Sequence, residues 1–150
     1  MSIFEYNGSA LIAMVGKNCF AIASDRRLGV QLQTIATDFQ RIHRVHDGLF
    51  IGLSGFRGFC FGTSCTSFPV IAGLGDEGKP FFCTMDSTGA NQDFVVAGTA
   101  SESLYGACEA MFKSEMELEP EEFFEIVSQA LLSSDDQDCL SGWGGHVYVV

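Results

Sequence analysis

The residues of this sequence that could do chemistry lie at the ends of predicted strands. Ser9 supplies a hydroxyl just before one apolar run, and Asp25 supplies a carboxylate directly after the next run, ahead of Arg26 and Arg27. If the two runs pair across the VGKN turn, the start of the first lies beside the end of the second. A serine hydroxyl beside an acid could open a hydrolase site, and the same pairing is equally the start of an ordinary sheet.

Five further residues stand at similar positions, in turns or at strand ends: Arg41, Gly55, Thr99, Asp138 and Ser141. Taken singly, each is a common turn or solvent-facing residue, because polar side chains concentrate where strands end. None of them is needed for an apolar stripe. It is their joint arrangement that favours a functional interpretation.

Two other motifs have simpler interpretations. Gly73, Gly75 and Gly78 match the pattern GxGxxG, but a dinucleotide-binding turn must open a helix, and here Lys79-Pro80 and another strand follow. The glycines therefore predict a hairpin turn. His43 and His46 are three residues apart on a predicted strand, which favours solvated side chains over a metal pair.

Strands dominate the elements that must position these side chains. Apolar runs between turn residues predict strands at 9–15, 19–25, 48–55, 68–74, 79–87 and 93–98, one or two short strands within 31–45, and a closing strand in GGHVYVV.

Two amphipathic segments predict helices, ASESLYGACEAMFK with Thr99 or Ser101 as N-cap, and EPEEFFEIVSQALLSS with Pro120 in its first turn. The second helix carries an apolar stripe that is expected to be buried: Phe123, Phe124, Val127, Ala130 and Leu131. Glu121 and Glu125 are expected in solvent. Strands followed by two helices and a last strand indicate an α+β fold, with the helices on one sheet face.

Composition limits the functional classes. A chain of 150 residues is expected to form one domain, and a net charge of -11 disfavours binding to nucleic acid or an anionic membrane. The sequence contains no apolar run of membrane-spanning length and no secretory signal, so we expect an intracellular protein. The six cysteines form no CxxC pair, which predicts thiols and no zinc site.

The arrangement of these residues resembles the beta subunits of the proteasome, which belong to the N-terminal nucleophile hydrolase family. Gly8-Ser9 matches the family's Gly-Thr junction, AIASDRR its Ala-Asp-x-Arg segment with Asp25, and TDFQRI the segment of the catalytic lysine, which places Arg41 there. Gly55 matches the oxyanion-side glycine, and Thr99 matches a supporting hydroxyl. DCLSG matches the Asp-x-x-Ser-Gly motif through Asp138 and Ser141.

The segments MSIFEYNGSALIAM, DFVVAGTASESLYG, VSQALLSS and DCLSGWGG are most similar to a beta-subunit type that is non-catalytic. The resemblance implies a sandwich of two antiparallel sheets with helical layers and a structural role in the beta ring of the 20S core. That particle carries out ATP- and ubiquitin-dependent protein degradation in the cytoplasm and nucleus. Other beta subunits and the alpha ring are the implied partners, with no cofactor, metal, nucleic acid or membrane.

Two departures from the family pattern concern the chemistry. The reactive residue of the family supplies its own free α-amino group as base, whereas Ser9 is preceded by eight residues and its nitrogen lies in an amide. Arg41 replaces the lysine, and a guanidinium does not lose a proton. Both indicate an inactive subunit, and Arg26 or Arg27 is expected to keep Asp25 or Asp138 ionised.

The alternative function is a self-processing hydrolase that cleaves Gly8-Ser9 and uses Ser9 as nucleophile, supported by Asp25, Asp138 and Ser141.

A third departure concerns length. Residues 57–68 stand where the family has a pair of helices, and the resemblance also implies a missing C-terminal tail. We therefore expect a single beta-type domain with one incomplete helical layer, and apolar side chains of LIAM, FAIA and LFIGL exposed where that layer is lost. A shortened chain that never assembles is the remaining alternative.

Overall fold

The computed structural model describes residues 8–30, 32–54, 68–75, 77–84, 93–112 and 119–150. Within these ranges the strands are β1 (Ala10–Val15), β2 (Phe20–Asp25), β3 (Leu28–Val30), β4 (Gln33–Ala36), β5 (Ile42–His46), β6 (Leu49–Ser54), β7 (Phe68–Leu74), β8 (Pro80–Thr84), β9 (Phe94–Gly98) and β10 (Gly145–Val149). The helices are α1 (Ser101–Met111) and α2 (Pro120–Asp135). The predicted α+β order is confirmed.

Two four-stranded antiparallel sheets form the body of the fold. The first has the strand order β10-β2-β1-β9 and the second the order β5-β6-β7-β8, while β3 and β4 pair separately. The predicted pairing of the first two strands is confirmed, with Leu11 opposite Ser24 and Val15 opposite Phe20. The predicted hairpin turn joins β7 to β8: Gly78 has a φ of 71° and Gly75 N–H donates to the Lys79 carbonyl, while Asp76 lies outside the described residues.

The first sheet is buried on both faces. Alternation along β1 sends Ile12 and Met14 toward the helices and Leu11 and Ala13 toward the second sheet, which creates two separate cores. The expectation that LIAM and FAIA are exposed is therefore wrong, because these runs are the middle layer of a sandwich. Their nearly continuous apolar sequence is typical of a strand covered on both sides.

The second sheet is covered less completely. Along β6, Phe50 is buried and Leu49, Ile51 and Leu53 are partly buried, so LFIGL is less exposed than expected. Phe81 on β8 is 42% exposed. The apolar surface lies on the sheet face that points away from the first sheet.

The two helices begin differently. The residue before α1 is Ala100, which makes no side-chain cap, so the prediction of Thr99 or Ser101 as N-cap is wrong. In α2, Pro120 is in the first turn as predicted, and Glu119 and Glu122 form a capping box. The described helices include none that is long and apolar enough to cross a membrane.

The stripe of α2 is confirmed except at one residue. Phe123, Val127 and Leu131 are buried against the first sheet, and Glu121 and Glu125 are exposed, but Phe124 is 50% exposed. Phe123 and Phe124 are neighbours in sequence and point about 100° apart on a helix. Only one of the two can face the sheet, and in this structure it is Phe123.

Leu131→Ala tests this core. Leu131 is 2% exposed, so the truncation should lower the free energy of unfolding by about 2–5 kcal/mol through lost burial and the cavity left behind. Leu132→Ala is the matched control, because Leu132 is 58% exposed and its truncation should change stability by less than about 0.5 kcal/mol. Chemical denaturation of the two variants measures both values, and equal costs would contradict this helix orientation.

Candidate functional site

The register of the first sheet brings the candidate residues together. β1 runs antiparallel to both β2 and β9, with Leu11 opposite Ser24 and Ala10 opposite Gly98. Ser9 at the start of β1 therefore lies between Asp25 at the end of β2 and Thr99 just after β9. The proximity of Ser9 and Asp25 expected from sequence follows directly from this pairing.

The Thr99 hydroxyl connects Ser9 to the loop after α2. It accepts a hydrogen bond from the Ser9 N–H over 3.1 Å and lies 2.7 Å from Asp138 Oδ2, to which it donates. The other oxygen of Asp138 accepts from the Leu140 N–H at 3.1 Å. Thr99 thus holds the backbone of Ser9, which is why it does not cap α1.

Two glycines permit the close approach of backbones at this site. A Cβ on Gly98 would lie 2.1 Å from the Ser9 carbonyl oxygen, and its φ of 106° already disfavours any side chain. A Cβ on Gly8 would lie 2.0 Å from Leu140 Cβ. Gly8 is therefore held between the Leu140 loop and the start of β1.

A buried ion pair lies beneath Ser9. Arg41 Nε donates to Asp25 Oδ1 over 2.9 Å, with side-chain exposures of 1% and 0%. Arg41 Nη2 also donates to the Gly8 carbonyl at 2.9 Å and to the Arg27 carbonyl. The planar guanidinium thus binds one carboxylate and two backbone oxygens at once, an arrangement that the compact ammonium group of a lysine cannot reproduce.

Two backbone N–H groups also donate to the Asp25 carboxylate. Ala10 N–H donates at 3.0 Å and Arg27 N–H at 3.3 Å, in addition to Arg41. The pKa of the Asp25 carboxyl is raised, because the effect of burial outweighs the Arg41 charge and the backbone donors, which lower it. Burial likewise lowers the pKa of Arg41, and the charge of Asp25 raises it.

The sequence-based expectation named the wrong arginine as the ionic partner of Asp25. Its ionic partner is Arg41, whereas Arg26 pairs with Asp38 at 2.7 Å on the surface. Arg27 reaches Asp25 through its backbone N–H, and its guanidinium donates to the Leu140 carbonyl at 2.6 Å. Asp138 accepts hydrogen bonds from the Thr99 hydroxyl and the Leu140 N–H, so the expectation that Arg26 or Arg27 forms the ion pair with Asp25 is wrong.

The Ser9 hydroxyl faces another hydroxyl. Ser9 Oγ lies 3.0 Å from Ser54 Oγ at the end of β6, and Ser9 is 0% exposed. Sequence reasoning missed Ser54, although it precedes Gly55 in the GLSGF segment, because a serine at a strand end is an unremarkable residue. Gly55 itself lies outside the described residues.

Ser141 lies beside Asp135 at the end of α2. Ser141 is buried, and its hydroxyl makes no hydrogen bond within the described residues, so its proximity to Asp135, an acid that sequence reasoning did not single out, lowers the pKa of that carboxyl only as a minor effect. Burial, followed by the negative charge of Asp25, raises the pKa of Asp135 to about 7. One of the Asp135 carboxyl oxygens is buried without a hydrogen-bond partner among the described residues.

An open groove of about 610 Å³ lies next to Thr99 and Asp138. It runs between the start of α1 and the end of α2, and its wall is made of small and polar residues such as Ser103, Gly106 and Gln137. Ser9, Asp25 and Arg41 do not line it.

The arrangement can hold a backbone in place more readily than it can activate a nucleophile. The Ser9 nitrogen is an amide, and a hydroxyl such as that of Ser54 is a poor proton acceptor. Asp25 is engaged by donors, and Arg41 has no proton to lose at ordinary pH. The residues of the described ranges include no group of three His, Cys, Asp or Glu side chains that could hold a metal ion.

Comparison with known proteins gives a consistent match. The family model described as Proteasome subunit matches residues 5–61 and 63–150. The chain is 62% identical to Proteasome subunit beta type-3-B of Arabidopsis thaliana, 59% to Proteasome subunit beta type-3 of Picea mariana and 38% to Proteasome subunit beta type-3 of Drosophila melanogaster. Each alignment covers 100% of this chain and 93% of the relative.

The alignments are longer than the chain. The alignment with the Arabidopsis thaliana relative spans 191 positions, against 150 residues here. The segment 57–68, expected to replace a helical pair, lies outside the described residues but for Phe68, whose backbone opens β7. The shortened domain thus stays a prediction.

A double-mutant cycle tests the buried pair. Arg41→Met should lower stability by about 3–5 kcal/mol, because it leaves the Asp25 charge buried without its partner. Adding Asp25→Asn should recover at least about 1 kcal/mol of that loss. Arg26→Met is the matched control, since its exposed pair with Asp38 should contribute less than about 1 kcal/mol. Additive effects of the two core substitutions, measured by denaturation, would show that the pair is not coupled.

Asp135→Asn tests the raised pKa near Ser141. With a pKa of about 7 in the folded state against 3.8 for an unperturbed carboxyl, the folded protein binds the proton more tightly. The stabilising contribution of Asp135 to the free energy of unfolding is therefore fully present below about pH 4 and is lost as the pH rises through 7. We expect Asp135→Asn to stabilise the protein by about 1 kcal/mol at pH 8, a value reduced for solvent screening of this partly buried group, and to change little at pH 4.

Asp136→Asn removes the same formal charge from the exposed neighbour and controls for net charge. A gain for Asp135→Asn that is equal at both pH values would contradict the assigned titration.

Proposed function

This chain belongs to the proteasome subunit family, and on that premise we propose that it is a non-catalytic, structural subunit of the beta ring of the 20S proteasome core. In that role it contributes to ATP- and ubiquitin-dependent degradation of intracellular proteins by completing the ring. Its relatives are named beta type-3 subunits. Type 3 is also the non-catalytic beta-subunit type that the segments quoted in the sequence analysis resemble.

The state of Ser9 is the observation that carries the inactive assignment. Its nitrogen lies in the Gly8-Ser9 peptide bond and accepts no proton, its side chain is 0% exposed, and its hydroxyl faces Ser54. A nucleophile of this family needs a neighbouring base, and the position of the lysine is filled by Arg41 in an ion pair. Substrate access and proton transfer are both opposed by this geometry.

The proposed partners are the neighbouring beta subunits and the alpha ring, and the proposed locations are the cytoplasm and the nucleus. Family membership supports assembly with other proteasome subunits. The net charge of -11 is consistent with protein partners, because it disfavours phosphate-rich ones.

The alternative function, a hydrolase that cleaves its own Gly8-Ser9 bond, has one observation in its favour. Arg41 Nη2 lies 2.9 Å from the Gly8 carbonyl oxygen, the atom that would become negative if Ser9 Oγ attacked. A donor there polarises the carbonyl and would stabilise an oxyanion. The same contact is also explained as support for the strand, and polarisation without a base does not generate the nucleophile.

Co-purification separates the proposed subunit from a chain that never assembles. Tagged chain expressed in a cell with the other subunits should be recovered in particles of 20S size. Recovery of the soluble chain alone, with no other proteasome subunit, would overturn the proposed function.

The state of the N-terminus tests whether the chain is inactive. Intact-mass analysis of chain recovered from particles should give a species that begins at Met1 or Ser2, with no label from a hydroxyl-directed electrophile. Ser9→Ala should give the same processing pattern and the same yield of particles. A species that begins at Ser9 in the wild type and is absent in Ser9→Ala would establish self-cleavage and reject the inactive assignment.

A further inference from the structure

One tryptophan is held on the surface in an unfavourable backbone conformation. Trp143 has a φ of 67°, and within the described ranges the other residues with positive φ are glycines. An L-residue with a Cβ is disfavoured there, and a bulky aromatic residue more than asparagine or glycine. Trp143 is nevertheless 63% exposed, so packing of its ring within this chain does not offset the strain.

Hydrogen bonds hold the backbone of the loop that carries Trp143. Arg26 N–H donates to the Gly142 carbonyl at 3.2 Å, the Arg27 guanidinium donates to the Leu140 carbonyl, and Gly145 opens β10 opposite Asp25. Gly142 and Gly144 have φ values of 130° and 85°, so three successive residues turn with positive φ. The backbone on both sides of Trp143 is thus held by contacts with the first sheet and with Arg27.

Polar side chains border this position. Arg26 lies below Gly144, where a Cβ would be 3.8 Å from Arg26 Cδ, and its guanidinium pairs with Asp38. His146 on β10 lies 3.5 Å from the same Asp38. An exposed aromatic side chain beside a polar border resembles the centre of a protein interface, where tryptophan is among the most enriched anchors.

From the strain, the exposure and the fixed loop, we infer that Trp143 anchors a contact with a neighbouring proteasome subunit. The partner surface offers an apolar recess for the indole ring and an acceptor for its N–H, with a polar margin opposite Arg26 and Asp38. The strain is then offset in the assembled particle and not in the free chain. This inference rests on the proposed function, since it requires that the chain assemble.

The matched variants are Trp143→Gly and Trp143→Phe. Glycine adopts a φ of 67° freely, so Trp143→Gly should leave the thermal midpoint of the free chain unchanged or raise it. In competition with wild-type chain during co-expression, its incorporation into particles should fall about ten-fold. Trp143→Phe keeps an aromatic ring in the same backbone conformation and should lose much less.

The chain's single tryptophan supplies a direct readout. Wild-type chain labelled with 5-hydroxytryptophan can be excited selectively among unlabelled subunits. Its emission should be readily quenched by acrylamide in the free chain and protected after incorporation.

The outcomes distinguish the two proposals. If the wild-type chain enters particles but its indole stays open to quencher and Trp143→Gly competes equally, the inference is wrong and the proposed function stands. If the wild-type chain does not enter particles, both are overturned. If the indole becomes protected in the free chain with rising concentration, a second copy of this chain is the partner and the assignment to a neighbouring subunit is wrong.

Discussion

The guanidinium of Arg41 joins the second sheet to three segments of the chain at one corner of the fold. It lies just before β5 in the second sheet, yet it binds the Asp25 carboxylate at the end of β2, the Gly8 carbonyl before β1 and the Arg27 carbonyl before β3. Removing two charges from water costs several kcal/mol per ion, so such a pair persists only when its hydrogen bonds are satisfied. The positions of β1, β2 and β5 at this corner are set by that requirement.

The same requirement gives the residues of this site structural roles. Asp25, Arg41, Thr99 and Asp138 remain connected because each holds a backbone group: the N–H of Ala10, the carbonyl of Gly8, the N–H of Ser9 and the N–H of Leu140. These contacts stabilise the sandwich whether or not a nucleophile is present. Selection for folding alone is therefore sufficient to retain them.

The loop from Asp138 to Gly144 serves both the frame and the surface. Its inner side holds Thr99, Gly8 and the Arg27 guanidinium, while its outer side carries Trp143. Because the inner contacts fix the backbone, the orientation of the indole depends on the same network as the ion pair. A substitution in the buried ion pair should therefore also move the loop that carries Trp143.

The sequence predicts the longer strands, the two helices, the hairpin between β7 and β8 and the proximity of Ser9 to Asp25, because these follow from local periodicity and from pairing across one short turn. It also indicated the family, since its motifs are contiguous. The sequence did not predict β3, because a strand of three residues is too short to show a period. It did not determine which of Phe123 and Phe124 faces the core, that LIAM is buried on both sides, or that Arg41 and not Arg26 pairs with Asp25. Those outcomes depend on how layers distant in sequence meet, and periodicity along one segment carries no information about what packs against it.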